Sequence, residues 1–186
     1  MLKRSFVVAF IFVALPSVAL ADEPFQLHFP QDHTVTEFTD SWGAARSGHR
    51  HKGNDLMAPQ MTEVYAAADG VVTWVRDRGS AGRYVTIDHG NGWETWYMHL
   101  NNDTPGTDDG AAPMSLGVNV EPGDEVKAGD VIRWVGDSGN AEGSSAHTHF
   151  ELHRNGQPID PHPYLLEALE RASEPAPPVG IDFQPI

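Results

Sequence analysis

Cysteine is absent from this 186-residue chain. Disulfides, thiolate metal sites and cysteine nucleophiles are therefore excluded, and stability must come from core packing, hydrogen bonds and bound ions. Positive charge is scarce: 12 Lys and Arg stand against 26 Asp and Glu, a net charge of −14. Such a surface repels nucleic acid and anionic lipid, so neither is an expected partner. It chiefly keeps a protein soluble, and it tolerates substrates that carry free amines. Apolar runs of bilayer-spanning length are also missing. The apolar run at residues 6–15 follows Lys3 and Arg4 and precedes Ala19-Leu20-Ala21. It reads as a secretory signal peptide over residues 1–21, cleaved before Asp22. Cleavage would leave 10 basic against 26 acidic residues, a net charge of −16, and no membrane span. The expected location is the periplasm or the medium.

Helical periodicity is also rare. Residues 22–35, with Pro24 and Pro30, read as an extended lead-in. From 36 to about 160, short alternating runs lie between Gly, Asn and Asp turns, which is the pattern of strands. Strands are expected at 71–75, 83–88, 94–100, 131–135 and 148–152. The turn Asp88-His89-Gly90-Asn91-Gly92 should join the second and third as a hairpin. One helix is expected over 163–172, with Pro163 in its first turn and Leu165, Leu166 and Leu169 on one face. The helix end and a tail with Pro175, Pro177, Pro178 and Pro185 occupy 167–186. A near-repeat links Val64-Tyr65-Ala66-Ala67-Ala68-Asp69-Gly70-Val71-Val72 with Val126-Lys127-Ala128-Gly129-Asp130-Val131-Ile132. The expected fold is mainly β: an antiparallel sheet folded over like a sandwich, with one C-terminal helix.

Histidine is what the chain has in quantity, with ten residues. In His51-Lys52-Gly53-Asn54-Asp55, the imidazole and the carboxylate are four apart, on one side of a strand or a helical turn. Gly53 lets the backbone pass closely between them. In 146–154, alternation sends Thr148, Phe150 and Leu152 to a core face and His147, His149, Glu151 and His153 to a polar one. In 94–100, Trp96, Met98 and Leu100 form the expected apolar set, with Thr95, Tyr97 and His99 opposite. Two imidazoles and one carboxylate around an open position make a hydrolytic zinc site. Taken singly, a His-x-His pair is more often an ordinary surface feature, and His-x-x-x-Asp is weaker still. Their combination in this order, with His99 between, carries the signal.

Together these residues resemble the lysostaphin-type (LytM-domain) zinc endopeptidases, which cleave peptide bonds in bacterial cell walls. The likeness runs from about 36 to 166. It includes Ser41-Trp42-Gly43, His51-Lys52-Gly53-Asn54-Asp55-Leu56, Ala67-Ala68-Asp69-Gly70, Tyr97-Met98-His99-Leu100, Ser145-Ala146-His147-Thr148-His149-Phe150-Glu151-Leu152 and Asp160-Pro161. It implies a LytM-like metallopeptidase domain over 36–166, a sandwich–barrel hybrid with a duplicated motif. It also implies one Zn²⁺ per chain on His51, Asp55 and His149, with His99 and His147 as catalytic imidazoles. The implied substrate is peptidoglycan, in its stem peptides or cross-links, and the expected state is a monomer. The alternative is a non-enzymatic LytM-like regulator of another wall hydrolase; such modules are expected to lack metal ligands, and here all three are present. A cupin-like site would need a carboxylate several residues beyond the histidine pair, whereas Glu151 is only two past His149. Two departures from the family pattern stand out. Thr148 replaces the usual hydrophobic residue between the paired histidines. The 101–119 segment is long and rich in Gly, Asn and Asp, and reads as a solvated loop or a groove wall. His28, His33 and His162 are expected in solvent and His89 in a turn. His49 and His153 could support the site.

Overall fold

The computed structural model describes residues 25–116 and 120–174. Residues 1–21, expected to be a signal peptide, and the proline-rich tail past 174 lie outside the described residues. In chain order the strands are β1 (Ala45–Arg46), β2 (His49–Arg50), β3 (Asn54–Met57), β4 (Glu63–Tyr65), β5 (Gly70–Asp77), β6 (Arg83–Asp88), β7 (Trp93–Leu100), β8 (Glu125–Val126), β9 (Val131–Trp134), β10 (His147–Arg154) and β11 (Gln157–Ile159). Helix α1 (His162–Ser173) follows. The main sheet runs β11-β10-β7-β6-β5-β8, and β3 pairs with β10 as well. All its pairings are antiparallel. The expected mainly-β architecture with one C-terminal helix is present, and β6 and β7 form the expected hairpin, with Asp88 opposite Glu94.

The near-repeat closes on itself reciprocally. The first strand of one unit, β4, pairs with β9 of the other, while β5 pairs with β8. Between them, the Ala66 N–H donates to Asp130 O and the Gly129 N–H to Ala66 O, both at 2.9 Å. Each unit thus satisfies the other's turn backbone. The core collects Val72, Val85, Ile87, Phe150 and Leu152, joined by Leu27 and Phe29 from the lead-in. On α1 the buried stripe is Leu165 and Ala168, flanked by Leu169 and Ala172, a spacing that keeps one helical face apolar. Leu166, expected on that face, points outward and is 49% exposed.

Strand β7 corrects the reading from alternation. Thr95 and Tyr97 face the core, while Trp96 and Met98 lie only half-buried on the other face. Burying Tyr97 leaves no orphan hydroxyl, because it accepts from the Ala67 N–H at 2.8 Å and from Thr95 Oγ1 at 2.9 Å. Alternation then breaks. Arg83 pairs with Leu100 and Val85 with Tyr97, so both Met98 and His99 stand against Tyr84. This bulge carries His99 at φ 60°, a left-handed conformation unusual outside glycine. The extra residue turns His99 to the same side as Met98 and returns Leu100 to the core.

Candidate metal centre

The pairing of β3 with β10 sets Asp55 directly opposite His149. Two candidate donors from distant sequence therefore meet through backbone register alone. His51 lies just ahead of β3, its N–H bonded to Ala44 O at 2.9 Å. The approach depends on Gly53, where an added Cβ would sit 2.2 Å from the carbonyl oxygen of Phe150. Only glycine lets this segment lie so close to β10.

The donor atoms form a tight triangle. His51 Nε2 is 3.0 Å from Asp55 Oδ1 and 2.8 Å from His149 Nδ1, and His149 Nδ1 is 3.0 Å from Asp55 Oδ1. The outer ring nitrogens show what faces inward. His51 Nδ1 lies 2.8 Å from Ser41 O, a carbonyl that can only accept, so this nitrogen carries the proton. His149 Nε2 likewise donates to Glu151 Oε1 at 3.1 Å. With both imidazoles neutral, two lone pairs and a carboxylate oxygen converge with no proton to share; without a cation, a proton on an inner ring nitrogen is the only other way to satisfy them. A cation satisfies all three. Ligands about 2.0–2.1 Å from a tetrahedral zinc stand about 3.3 Å apart, a few tenths of an ångström wider than this triangle, so the donor set fits Zn²⁺.

Two further imidazoles flank the triangle. The His99 and His147 ring centroids are 5.1 Å apart, and His99 is 6.0 Å from His149. His99 Nδ1 donates to Ser138 O at 2.9 Å and His147 Nδ1 to Ser145 O at 2.8 Å. Both rings thus keep an Nε2 lone pair for the cleft, and His147 Nε2 is 3.9 Å from Asp55 Oδ1. All five residues singled out from sequence are brought together.

The sequence model of Peptidase family M23 matches residues 49–161, well over half of the chain. The chain belongs to peptidase family M23. It is 40% identical over 111 residues to the DD-carboxypeptidase/endopeptidase Mpg of Neisseria meningitidis, covering 60% of this chain and 22% of that protein. It is 34% identical over 110 residues to the peptidoglycan DD-endopeptidase ShyA of Vibrio cholerae, covering 59% and 22%. The chain thus spans about a fifth of the length of these curated relatives. Among solved structures, a zinc-containing peptidase from Vibrio cholerae superposes with a TM-score of 0.54 at 28% identity, covering 71% of this chain and 37% of that one.

Around this M23 centre, electrostatics follows from burial and neighbours. Burial would raise the Asp55 pKa, but hydrogen bonds and charge from His149 and His51 overcome it and hold the carboxylate well below its usual range. Burial pushes His99 down to about 4, with the Ser138 carbonyl opposing and His147 and His149 adding to the shift. Burial also works against the charge on Glu151, yet bonds to His149 and His153 bring its pKa down to about 2. His149 is depressed by burial but raised on balance by Asp55 and Glu151.

Three supporting groups were not assigned from sequence. Glu151 bridges His149 to His153 Nε2, the latter at 2.6 Å, and His153 stacks on Trp96 at 4.7 Å. Its position on the polar face of 146–154 was the available signal. Arg46, from the β1–β2 hairpin, reaches Asp55 Oδ2 at 2.7 Å, leaving Oδ1 for the triangle. The Ser138 carbonyl that fixes His99 comes from the turn after β9, and no local pattern marks either contact. The site opens into a cleft of about 770 Å³ whose lining includes Arg46, His49, Lys52, Asn140 and Ser144. None of its lining comes from the described part of the 101–119 segment. That loop is instead tied down by Arg83, which donates to the carbonyls of Asn101, Ala112 and Pro113. His162, expected in solvent, packs edge-on against Phe38.

Proposed function

We propose that the chain is a zinc-dependent endopeptidase that hydrolyses peptide bonds of peptidoglycan, in stem peptides or cross-links. One observation carries the reading: the lone pairs of His51 Nε2 and His149 Nδ1 meet Asp55 Oδ1 within 2.8–3.0 Å, with every outer N–H already committed. His51, Asp55 and His149 would hold one Zn²⁺ per chain. When bound, the ion acts as a Lewis acid on the scissile carbonyl and lowers the pKa of water from about 15.7 to about 7. Arg46 and Glu151 hold the carboxylate and His149 in the donating orientation. His99 and His147 present fixed Nε2 atoms at the cleft, and they share two tasks: accepting the proton of the attacking water, and either stabilising the tetrahedral oxyanion or protonating the leaving amine, the imidazole that accepts the water proton being the one able to return it. The depressed pKa of His99 keeps it neutral near pH 7 and ready to release any proton it gains.

The names of the relatives support a wall-peptide substrate, and with it a site of action outside the cytoplasm. No helix among the described residues is long and apolar enough to cross a membrane. The regulator reading finds no support in a donor set this complete. The test is direct: zinc-loaded protein should release muropeptides from purified sacculi, chelation should stop it, and zinc should restore it. Folded, zinc-loaded protein that leaves sacculi intact would refute the proposal.

A further inference from the structure

The charge inside the cleft runs opposite to the charge of the chain. The protein carries 26 Asp and Glu, yet among the described residues only Asp55 and Glu151 bring carboxylates to the cleft lining. Both are already engaged, Asp55 with Arg46, His51 and His149, and Glu151 with His149 and His153. Two cations, Arg46 and Lys52, line the same cleft. Arg46 donates through Nη2 to Asp55 Oδ2, and its other N–H groups have no acceptor among the described residues. The Lys52 ammonium has neither an ion pair nor a hydrogen-bond acceptor among the described residues. Cations elsewhere are tied down: Arg83 to Asp77, Lys127 to Asp69 and Arg171 to Leu27 O.

The backbone fixes where Lys52 points. His51 before it is buried, and it is held to the preceding segment by two hydrogen bonds of 2.9 Å: its carbonyl accepts the Gly43 N–H, and its N–H donates to Ala44 O. Gly53 after it is buried against the Phe150 carbonyl. Lys52 between them is exposed, so its stem leaves the protein at the cleft, one residue from a zinc donor. Consecutive Cα atoms are about 3.8 Å apart, so a group bound by Lys52 lies near the reacting bond. The acidic surface does not prevent an anion from reaching it. Exposed charges are largely screened beyond about 8 Å at physiological ionic strength, whereas a group in the cleft meets Lys52 and Arg46 at contact distance. The negative groups of a wall peptide are its carboxylates, at the C-terminus or on side chains.

We propose that Lys52, assisted by the free donors of Arg46, is a specificity-determining residue that receives a carboxylate of the substrate peptide close to the bond being cut. This rests on the reading of the chain as a wall-peptide hydrolase. The ammonium is a compact point charge on a flexible stem, so it accepts a carboxylate in many orientations, and the planar guanidinium fork narrows them. Peptides with that carboxylate free are therefore preferred over peptides in which it is amidated.

The test uses the zinc-loaded full chain and four forms of one cross-linked wall peptide: all carboxylates free, the C-terminal ones amidated, the side-chain ones amidated, and all amidated. The free form should be cut with a kcat/KM about tenfold above that of the fully amidated form, with the difference falling on KM. The partly amidated form that matches the fully amidated one identifies the carboxylate that Lys52 takes. Raising salt from about 0.05 to about 0.5 M should shrink the preference. Lys52→Gln should abolish the preference, Lys52→Arg should keep it, and Lys52→Glu should invert it, which loss of folded protein cannot do. Lys127→Gln, paired with Asp69 outside the cleft, should show the parent's preference. Calorimetric titration of the same peptides into zinc-loaded His147→Ala reads the preference as a ratio of Kd values without turnover. The proposal is overturned if free and amidated peptides are treated alike in both measurements, or if Lys52→Gln or Lys52→Glu still prefers the free form. Protein that binds the free form through Lys52 but cuts no peptide would refute the hydrolase reading alone. Protein that cuts all four peptides equally well would refute the carboxylate site alone.

Discussion

Replacing Glu151 should separate zinc affinity from folding. Its carboxylate is 7% exposed and accepts two N–H groups, from His149 Nε2 at 3.1 Å and from His153 Nε2 at 2.6 Å. Its pKa is brought from the ordinary 4.5 to about 2, so the charge is present at every pH where the enzyme would work. A depressed carboxylate contributes stability that is complete above its unfolded value and is lost as pH falls through the folded one. Glu151→Gln keeps the shape and can still accept from His149, but the charge is gone and the amide NH₂ faces His153. One charge-assisted bond becomes a neutral one, a loss of roughly 1 kcal/mol. Removing an outer partner of a zinc-bound imidazole costs about 10- to 100-fold in metal affinity. We expect Glu151→Gln near the lower figure and Glu151→Ala near the upper. Glu151→Ala should also lose about 3 kcal/mol of stability in the metal-free protein, because two buried donors are left unpaired. Competition against a chromophoric zinc chelator reads the first quantity, and urea denaturation of the metal-free protein reads the second. Zinc affinities within twofold of the parent for both variants would show that Glu151 does not orient His149.

His99→Ala and His147→Ala should each retain zinc while losing about 10²–10⁴ in turnover on sacculi, the usual worth of a positioned acid or base; loss of zinc from either would move that residue into the ligand set. Gly53→Ala forces a Cβ to 2.2 Å from the Phe150 carbonyl, which backbone cannot easily yield. A loss of about 3 kcal/mol is expected in thermal unfolding, with weakened zinc binding, and a neutral outcome would mean β3 is free to shift. His89 is pushed below its ordinary 6.5 by burial, against the Asp69 carbonyl and nearby acids. The unfolded chain therefore takes up this proton first, and stability should fall as pH drops below about 6.5. Urea midpoints between pH 7 and 5 should decline less in His89→Gln; an unchanged slope would place the acid sensitivity elsewhere.

Much of the site was legible because its chemistry is local in kind. Alternation along 146–154 sorted His147, His149, Glu151 and His153 onto one face, and the structure keeps them there because Phe150 and Leu152 are fully buried on the other. The same rule failed on β7. There a buried tyrosine with two hydrogen-bond donors displaced Trp96 from the core, and a bulge at His99 reset the pattern. Periodicity measures how apolar a face is and carries no record of where a hydroxyl finds partners. The helix was located correctly, but its buried stripe passes beside Leu166, because the sheet beneath α1 sets its rotation.

The donor types, the four-residue step from His51 to Asp55, the two-residue step from His147 to His149 and the permissive Gly53 were fixed by the sequence, since each concerns neighbours along one chain direction. That His51 and His149, 98 positions apart, meet at 2.8 Å was decided by the register of β3 on β10. The protonation pattern was likewise decided in three dimensions, by the carbonyls of Ser41, Ser138 and Ser145 and the carboxylate of Glu151. An imidazole can present either nitrogen, and only a fixed acceptor behind the ring determines which lone pair looks inward.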